Sequence, residues 1–190
     1  MELTMRLTGT RPMLMHNGRL ANPIDPWTRK LGLLTKKRQK TDDDLIDIMR
    51  TEARGSCWET ADGLLGVPGA AIWRSLYDAA KAFKQGENVK RALMFEDVTI
   101  PLMVEGRPYT ADEWITDPAH IDYRPVAVQR AKTMRARPLI PVGWSVELTV
   151  ELMDDVMDAR QMVPIFERAG RLVGLGDWRP TYGRYEISIE

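Results

Sequence analysis

Two segments at opposite ends of the chain alternate strictly between apolar and polar residues. In residues 2–8, Leu3, Met5 and Leu7 alternate with polar side chains, and in residues 146–152 every second residue is again apolar. A period of two is typical of β-strands with one buried side and one solvent-facing side. The sequence therefore predicts a sheet with a single covered face, and other segments must supply the cover.

Three segments have the three- and four-residue spacing of amphipathic helices. The first begins at Thr41, ahead of three consecutive aspartates that suit the N-terminal end of a helix. The second occupies residues 72–83. The third lies within residues 158–169, and its start is predicted near Met162 because Pro164 fits only in the first turn of a helix.

The remaining segments are predicted as strands and loops. Residues 10–40 and 108–118 lack a regular pattern and are predicted to be loops. Further strands are predicted at residues 64–67, 94–104, 123–129, 132–139 and 185–189. Strands outnumber helices and the hairpins are short, so the predicted class is α+β, an antiparallel sheet with helices on one face. With 190 residues, 44% of them hydrophobic, the chain suits one domain over residues 1–190, with a long loop and helix insertion at residues 9–60.

The composition limits the cellular setting and the kinds of partner. The 27 basic and 27 acidic side chains give a net charge of zero, which excludes a wholly electrostatic binder but not a basic face. Cys57 is the only cysteine, so no disulfide forms within the chain and a reducing, cytoplasmic location is expected. No apolar run approaches the roughly 18 residues of a membrane helix, so a membrane is not an expected partner.

A glycine-rich segment near the C-terminus is the first candidate for a binding site. It combines glycines, aromatic residues and arginines: Gly174, Gly176, Trp178, Arg179, Tyr182, Gly183 and Arg184. Glycines allow close approach of backbone, aromatic rings stack on bases and arginines pair with phosphates. The same composition also fits a tight structural loop with Trp178 over the core, and composition alone slightly favours that interpretation.

The second candidate is the hairpin that precedes this segment. No acidic residue occurs between Tyr123 and Trp144. The basic side chains of that stretch singled out as candidates are Arg130, Lys132, Arg135 and Arg137. They are predicted either to contact nucleic-acid phosphates or to form a solvated basic face.

Three segments together resemble the RAMP superfamily, the RNA-binding proteins of CRISPR effectors, and in particular its Cas7-type members. Residues 174–184 are similar to the superfamily's glycine-rich loop before a final strand. Residues 66–74 resemble the small-residue turn into its first helix, and residues 16–26 resemble its long loop after the first strand. The C-terminal half also resembles a family of small phage and prophage proteins, from which no function carries over.

The resemblance implies a modified ferredoxin-like sheet of the RNA-recognition-motif type. It also implies a non-catalytic protein that binds single-stranded RNA and oligomerises along the strand as a filament or ring, and it adds Arg19 and Arg74 to the candidate binding residues. Two alternatives stay open, which are a single-stranded DNA binding or annealing protein and an assembly subunit without nucleic acid.

Catalysis has little support in the sequence. His16 and Asp25 stand where some members of the resembled superfamily carry cleaving residues, but no partner can be named for His16 as a general base. Asp25 lies in a Pro-Ile-Asp-Pro context that is typical of a turn cap. Since no His or Cys pair has the spacing of metal ligands, neither a metal nor a cofactor is predicted.

Overall fold

A computed structural model describes residues 1–96, 98–128 and 131–189 of the chain. The strands are β1 (Glu2–Gly9), β2 (Met13–Leu14), β3 (Gly66–Pro68), β4 (Leu93–Met94), β5 (Thr99–Pro101), β6 (Met103–Val104), β7 (Arg107–Pro108), β8 (Ile121–Val128), β9 (Ala131–Ile140), β10 (Ser145–Leu152) and β11 (Tyr185–Ile189). The helices are α1 (Pro26–Thr35), α2 (Asp42–Ser56), α3 (Gly69–Lys81), α4 (Gly86–Ala92), α5 (Ala111–Ile115) and α6 (Ala159–Arg168). A π-helical turn, Ala169–Val173, continues α6.

The central sheet is antiparallel and has the strand order β11-β1-β10-β6-β7, with β4 also pairing with β10. The predicted alternation is confirmed, because Leu3, Met5 and Leu7 are buried while Glu2 and Arg6 are exposed. In β10 the apolar positions are likewise buried. The α+β class with an antiparallel sheet and helices packed nearby is therefore confirmed.

A second antiparallel sheet, with the order β2-β9-β8, contains the predicted basic hairpin. Arg124 stands opposite Arg135, and Asp122 stands opposite Arg137. Opposed residues of an antiparallel pair share a face of the sheet, so these four side chains lie on one side of the hairpin. Arg130, another predicted contact, lies outside the described residues.

The helix that was predicted from Thr41 is confirmed, and Thr41 forms a reciprocal capping box with Asp44. The predicted start of the last helix near Met162 is wrong. An equivalent capping box between Asp158 and Gln161 lets α6 begin at Ala159, three residues earlier, and Pro164 lies inside the helix. The cap satisfies the first N–H groups, which outweighs the one backbone donor that Pro164 lacks.

Two segments that were predicted as irregular loops contain helices. Asp25 caps α1 by accepting a hydrogen bond from the Trp27 amide at 2.8 Å, and Pro26 occupies the first helical position. Thr110 caps the short α5 in the same manner. The single strand predicted over residues 94–104 is instead divided among β4, β5 and β6.

The buried apolar residues form one continuous core, which joins the central sheet and helices α3 and α6 to the second sheet and helices α2 and α5. Trp144 is buried there and donates a hydrogen bond from Nε1 to the Arg11 carbonyl at 3.0 Å. The buried Tyr185 hydroxyl is 2.8 Å from Ser75 Oγ, which satisfies both polar groups. No helix in the described residues is both long and apolar enough to cross a membrane.

Candidate nucleic-acid interface

The glycine-rich loop, residues 174–184, is clamped to the strand β2 region by backbone hydrogen bonds. The Asp177 amide donates to the Leu14 carbonyl at 2.8 Å, and the Gly183 amide donates to the Pro12 carbonyl at 2.7 Å. Within the loop, the Leu175 amide donates to the Gly183 carbonyl at 2.8 Å. The loop is therefore a rigid element that lies beside the second sheet.

The three loop glycines make room for the protein's own backbone. All three have positive φ angles, between 71° and 78°. A Cβ atom on Gly176 would lie 2.3 Å from the Leu14 carbonyl oxygen, and one on Gly183 would lie 1.7 Å from the Leu175 carbonyl oxygen. A Cβ atom on Gly174 would make a less severe contact, at 3.0 Å from the Gly183 carbonyl oxygen and 3.1 Å from that of Tyr182. Their contribution to any binding surface is therefore to shape the loop.

The loop presents a stacked aromatic pair to solvent. The rings of Trp178 and Tyr182 are 6.0 Å apart between centroids and 15° from parallel. Trp178 is 47% exposed, and it has a left-handed backbone with φ 59°. A large non-glycine residue in this region is strained, and such strain persists where the surrounding structure enforces it, often at binding sites. We call Trp178 and Tyr182 the aromatic platform.

Arg124 joins the hairpin to the aromatic platform. Its guanidinium donates to the Tyr182 hydroxyl at 3.0 Å. The guanidinium carbon lies 5.0 Å from the Trp178 ring centroid and 5.6 Å from that of Tyr182, within the range of cation–π attraction. Arg124 also pairs with Asp122 and remains 38% exposed. A cation therefore stands at the edge of the platform, where a phosphate can reach it.

Arg137, a predicted phosphate contact, is buried in an internal ion network. Its two terminal nitrogens donate to Asp122 and Asp177, each at 2.8 Å. Only 2% of Arg137 is exposed, and its guanidinium lies 5.0 Å from the Trp178 ring centroid. Partial burial acts to raise the pKa of Asp177, whereas the hydrogen bond from Arg137 acts to lower it. The net result is a pKa of Asp177 below its ordinary value. Arg137 therefore supports the platform from below and is not accessible to a ligand.

Arg135 and His16 form a second internal group beside this network. Arg135 Nη1 lies 3.2 Å from His16 Nε2, and Arg135 Nε lies 3.8 Å from a carboxylate oxygen of Glu52. Burial, followed by the positive charge of Arg135, lowers the pKa of His16, and burial raises the pKa of Glu52. His16 is therefore a neutral imidazole near pH 7, and it contacts the cation Arg135. Among its described contacts there is no second group that could transfer a proton, so a role of His16 in cleavage gains no support.

The other predicted site residues lie at several places. Arg19 is held internally by the carbonyls of Arg54 and Gly55 and by Glu59, and Arg74 pairs with Asp78 on α3 at 2.9 Å. Neither is brought to the aromatic platform by these contacts.

Arg179 is exposed on the glycine-rich loop, next to Trp178. Lys132 is exposed on β9 opposite Ala127, and because strand side chains alternate it lies on the other face of the hairpin from Arg124 and Arg135. Arg184 donates from Nε to the Pro180 carbonyl at 2.8 Å, which folds its side chain back over the loop. Arg124 and Arg179 therefore supply the accessible positive charge beside the platform.

Sequence reasoning missed Arg124, and it missed the acids that neutralise the hairpin. Asp177 comes from the glycine-rich loop and Glu52 from α2, so neither could be assigned to the hairpin from its own sequence. Arg124 lies inside the acid-free stretch, and pairing the two strands in register would have placed it opposite Arg135. No group of three or more His, Cys, Asp or Glu residues in the described chain is arranged to hold a metal ion.

Comparisons with models of known protein families and with curated protein sequences find no match to this chain. The candidate interface is therefore defined by its own geometry.

Proposed function

We propose that this protein binds single-stranded nucleic acid, preferably RNA, without cleaving it, and that copies assemble along the bound strand. The observation that carries the proposal is the solvent-exposed aromatic platform with the Arg124 guanidinium at its edge. Stacking of an unpaired base on such a ring contributes about 1–3 kcal/mol and requires no particular base.

The charges around the platform support a backbone-tracking mode of binding. Arg124 and Arg179 lie beside it on the hairpin and the loop. Arg124 stays 38% exposed although it pairs with Asp122, whereas Arg137 is buried between Asp122 and Asp177. A few accessible cations beside stacking rings suit a strand whose bases are exposed, because a duplex hides the faces of its bases. RNA is preferred because of the resemblance to RNA-binding proteins, and matched RNA and DNA oligomers of the same sequence test this preference.

Replacing Trp178 by Asn is expected to weaken binding to a uridine-rich RNA oligomer by a factor of about 5 to 100, the loss of one stacked base. Asn removes the ring yet tolerates the left-handed backbone at this position, so the loop keeps its path. Fluorescence anisotropy of a labelled oligomer measures the affinity.

The matched control for this test is Trp73→Leu. Trp73 belongs to another stacked pair, with Tyr77 on α3, at 5.1 Å between centroids. We expect Trp73→Leu to bind as the wild type does. Unchanged affinity in Trp178→Asn would remove the platform as the site.

Replacing Arg179 by Gln is expected to lower the slope of log affinity against log salt concentration by about one, since one phosphate contact is lost. Arg91, exposed on α4, provides the control substitution Arg91→Gln, for which the slope should stay at its wild-type value. Titrations at several salt concentrations make the comparison. Equal slopes for the wild type and Arg179→Gln would show that Arg179 does not contact the strand.

A further inference from the structure

Among the exposed apolar groups of the described residues, two surfaces lie on different parts of the fold. The first is at the end of the α1–α2 hairpin, where Leu33 is 72% exposed and Leu45 and Ile46 are also exposed. No residue of α1 is fully buried, because this helix packs mainly on α2. We call this surface the tip face. Exposed apolar clusters of this kind mark interaction surfaces in soluble proteins.

The second surface is a groove of about 470 Å³ between α6 and the edge strand β11. Its apolar lining includes Val163, Phe166, Ile187 and Ile189, of which Val163 is 44% exposed. The strand β11 pairs with β1 on one side only, so the groove lies at an open edge of the central sheet. We call this surface the edge groove.

The two surfaces carry charges of opposite sign. From residue 29 to residue 47, the range that includes the tip face, the chain has six basic and four acidic side chains, and the run from Lys36 to Lys40 is exposed. The charged residues that line the edge groove are Glu167, Glu186 and Arg171, two acids to one base. Around the start of α6, three exposed acids at residues 154, 155 and 158 stand against one exposed base, Arg160. Charge complementarity around apolar contacts favours the pairing of one surface with the other.

We infer that the tip face of one copy of this protein docks into the edge groove of a second copy. The inference rests on the proposed function in one respect, that copies assemble, and it names the surfaces that join them. A contact between two different surfaces is heterologous, so each added copy leaves one tip face and one edge groove open. Such contacts extend into a ring or a filament. Pairing of two tip faces is disfavoured, because it would bring two runs of lysine and arginine together.

The test uses two variants that each disable one surface, Leu33→Glu for the tip face and Val163→Lys for the edge groove. Both positions are exposed, so the fold tolerates the charge. Wild-type protein freed of nucleic acid, checked by its absorbance ratio, is expected to form assemblies larger than a dimer as concentration rises. Each variant alone is expected to sediment as a 21.7 kDa monomer. An equimolar mixture is expected to form a 1:1 dimer, because the one remaining tip face meets the one remaining edge groove.

Val142→Glu is the control, since Val142 is an exposed apolar residue that belongs to neither surface, and it should assemble as the wild type does. A monomeric wild type, a mixture that stays monomeric, or a variant that still self-associates would each overturn the inference. Binding of an RNA of about six nucleotides, too short to join two copies, is measured on the same variants. If the wild-type protein binds this RNA but does not assemble, only this inference is refuted. If the wild-type protein assembles but does not bind the RNA, only the proposed binding site is refuted.

Discussion

Replacing Arg137 by Leu is expected to lower the free energy of unfolding by about 3 kcal/mol, as breaking a buried ion pair does. The substitution removes the cation that neutralises Asp122, whose side chain is only 3% exposed. Asp122 then keeps Arg124 as its partner, which places the loss at the lower end for buried pairs. Asp177 is 38% exposed, so water can solvate it once Arg137 is gone. Chemical denaturation of both proteins at neutral pH measures the difference.

Arg135→Leu is the matched control, two residues away on the same strand. Arg135 is 29% exposed and its contact with Glu52 is 3.8 Å, so we expect a loss of about 1 kcal/mol or less. Equal losses of unfolding free energy for the two variants would show that the network of Arg137, Asp122 and Asp177 stabilises the fold no more than the contact of Arg135 with Glu52 does.

The same network predicts a pH dependence with a definite sign. Because the pKa of Asp177 is lowered in the folded state, its ion pair stabilises the fold above the unfolded-state pKa, near 3.8, and this stabilisation is lost as pH falls through the lower folded-state value. The gap in stability between the wild type and Arg137→Leu should therefore narrow below about pH 4. A gap that widens on acidification would contradict the assignment of Asp177 as the partner of Arg137.

Strands and helices with one clearly buried side were predictable from local periodicity. β1 and β10 alternate because the core accepts every second side chain, and α2 begins where Thr41 caps it. The helix α1 escaped prediction although Asp25 and Pro26 signal its start. It buries no residue completely, so its sequence has no strong apolar stripe, and the nearby glycine and prolines suggest a loop.

The candidate site was predictable in its location but not in the roles of its residues. The glycine-rich loop and the basic hairpin could be identified from composition, and the structure places them in contact through Arg124 and Tyr182. Which arginines face solvent depends on acids that come from elsewhere in the chain. Glu52 lies 83 residues before Arg135 and Asp177 lies 40 residues after Arg137, so only the tertiary fold reveals that both arginines are neutralised.

Gly183→Ala is expected to destabilise the protein by about 2–5 kcal/mol. Two costs combine at this position. The backbone of Gly183 has φ 71°, a left-handed conformation that costs an alanine about 1–2 kcal/mol. A Cβ atom would also lie 1.7 Å from the Leu175 carbonyl oxygen, and relieving such an overlap by moving backbone costs about 1–3 kcal/mol. Thermal or chemical unfolding, followed by circular dichroism, measures the loss.

Two other glycines separate these costs. Gly106 has a positive φ of 79° with open space around it, and Gly18 has open space without a positive φ. We expect about 1 kcal/mol of destabilisation for Gly106→Ala and none for Gly18→Ala. If Gly183→Ala cost no more stability than Gly106→Ala, the loop would be able to shift, and the rigidity that holds Trp178 in its strained backbone would have to come from another source.

If Gly183→Ala instead costs more stability than Gly106→Ala, the Gly183→Ala protein, kept folded at low temperature, should also bind RNA more weakly than the wild type. The reason is that the aromatic platform depends on the path that Gly183 gives the loop.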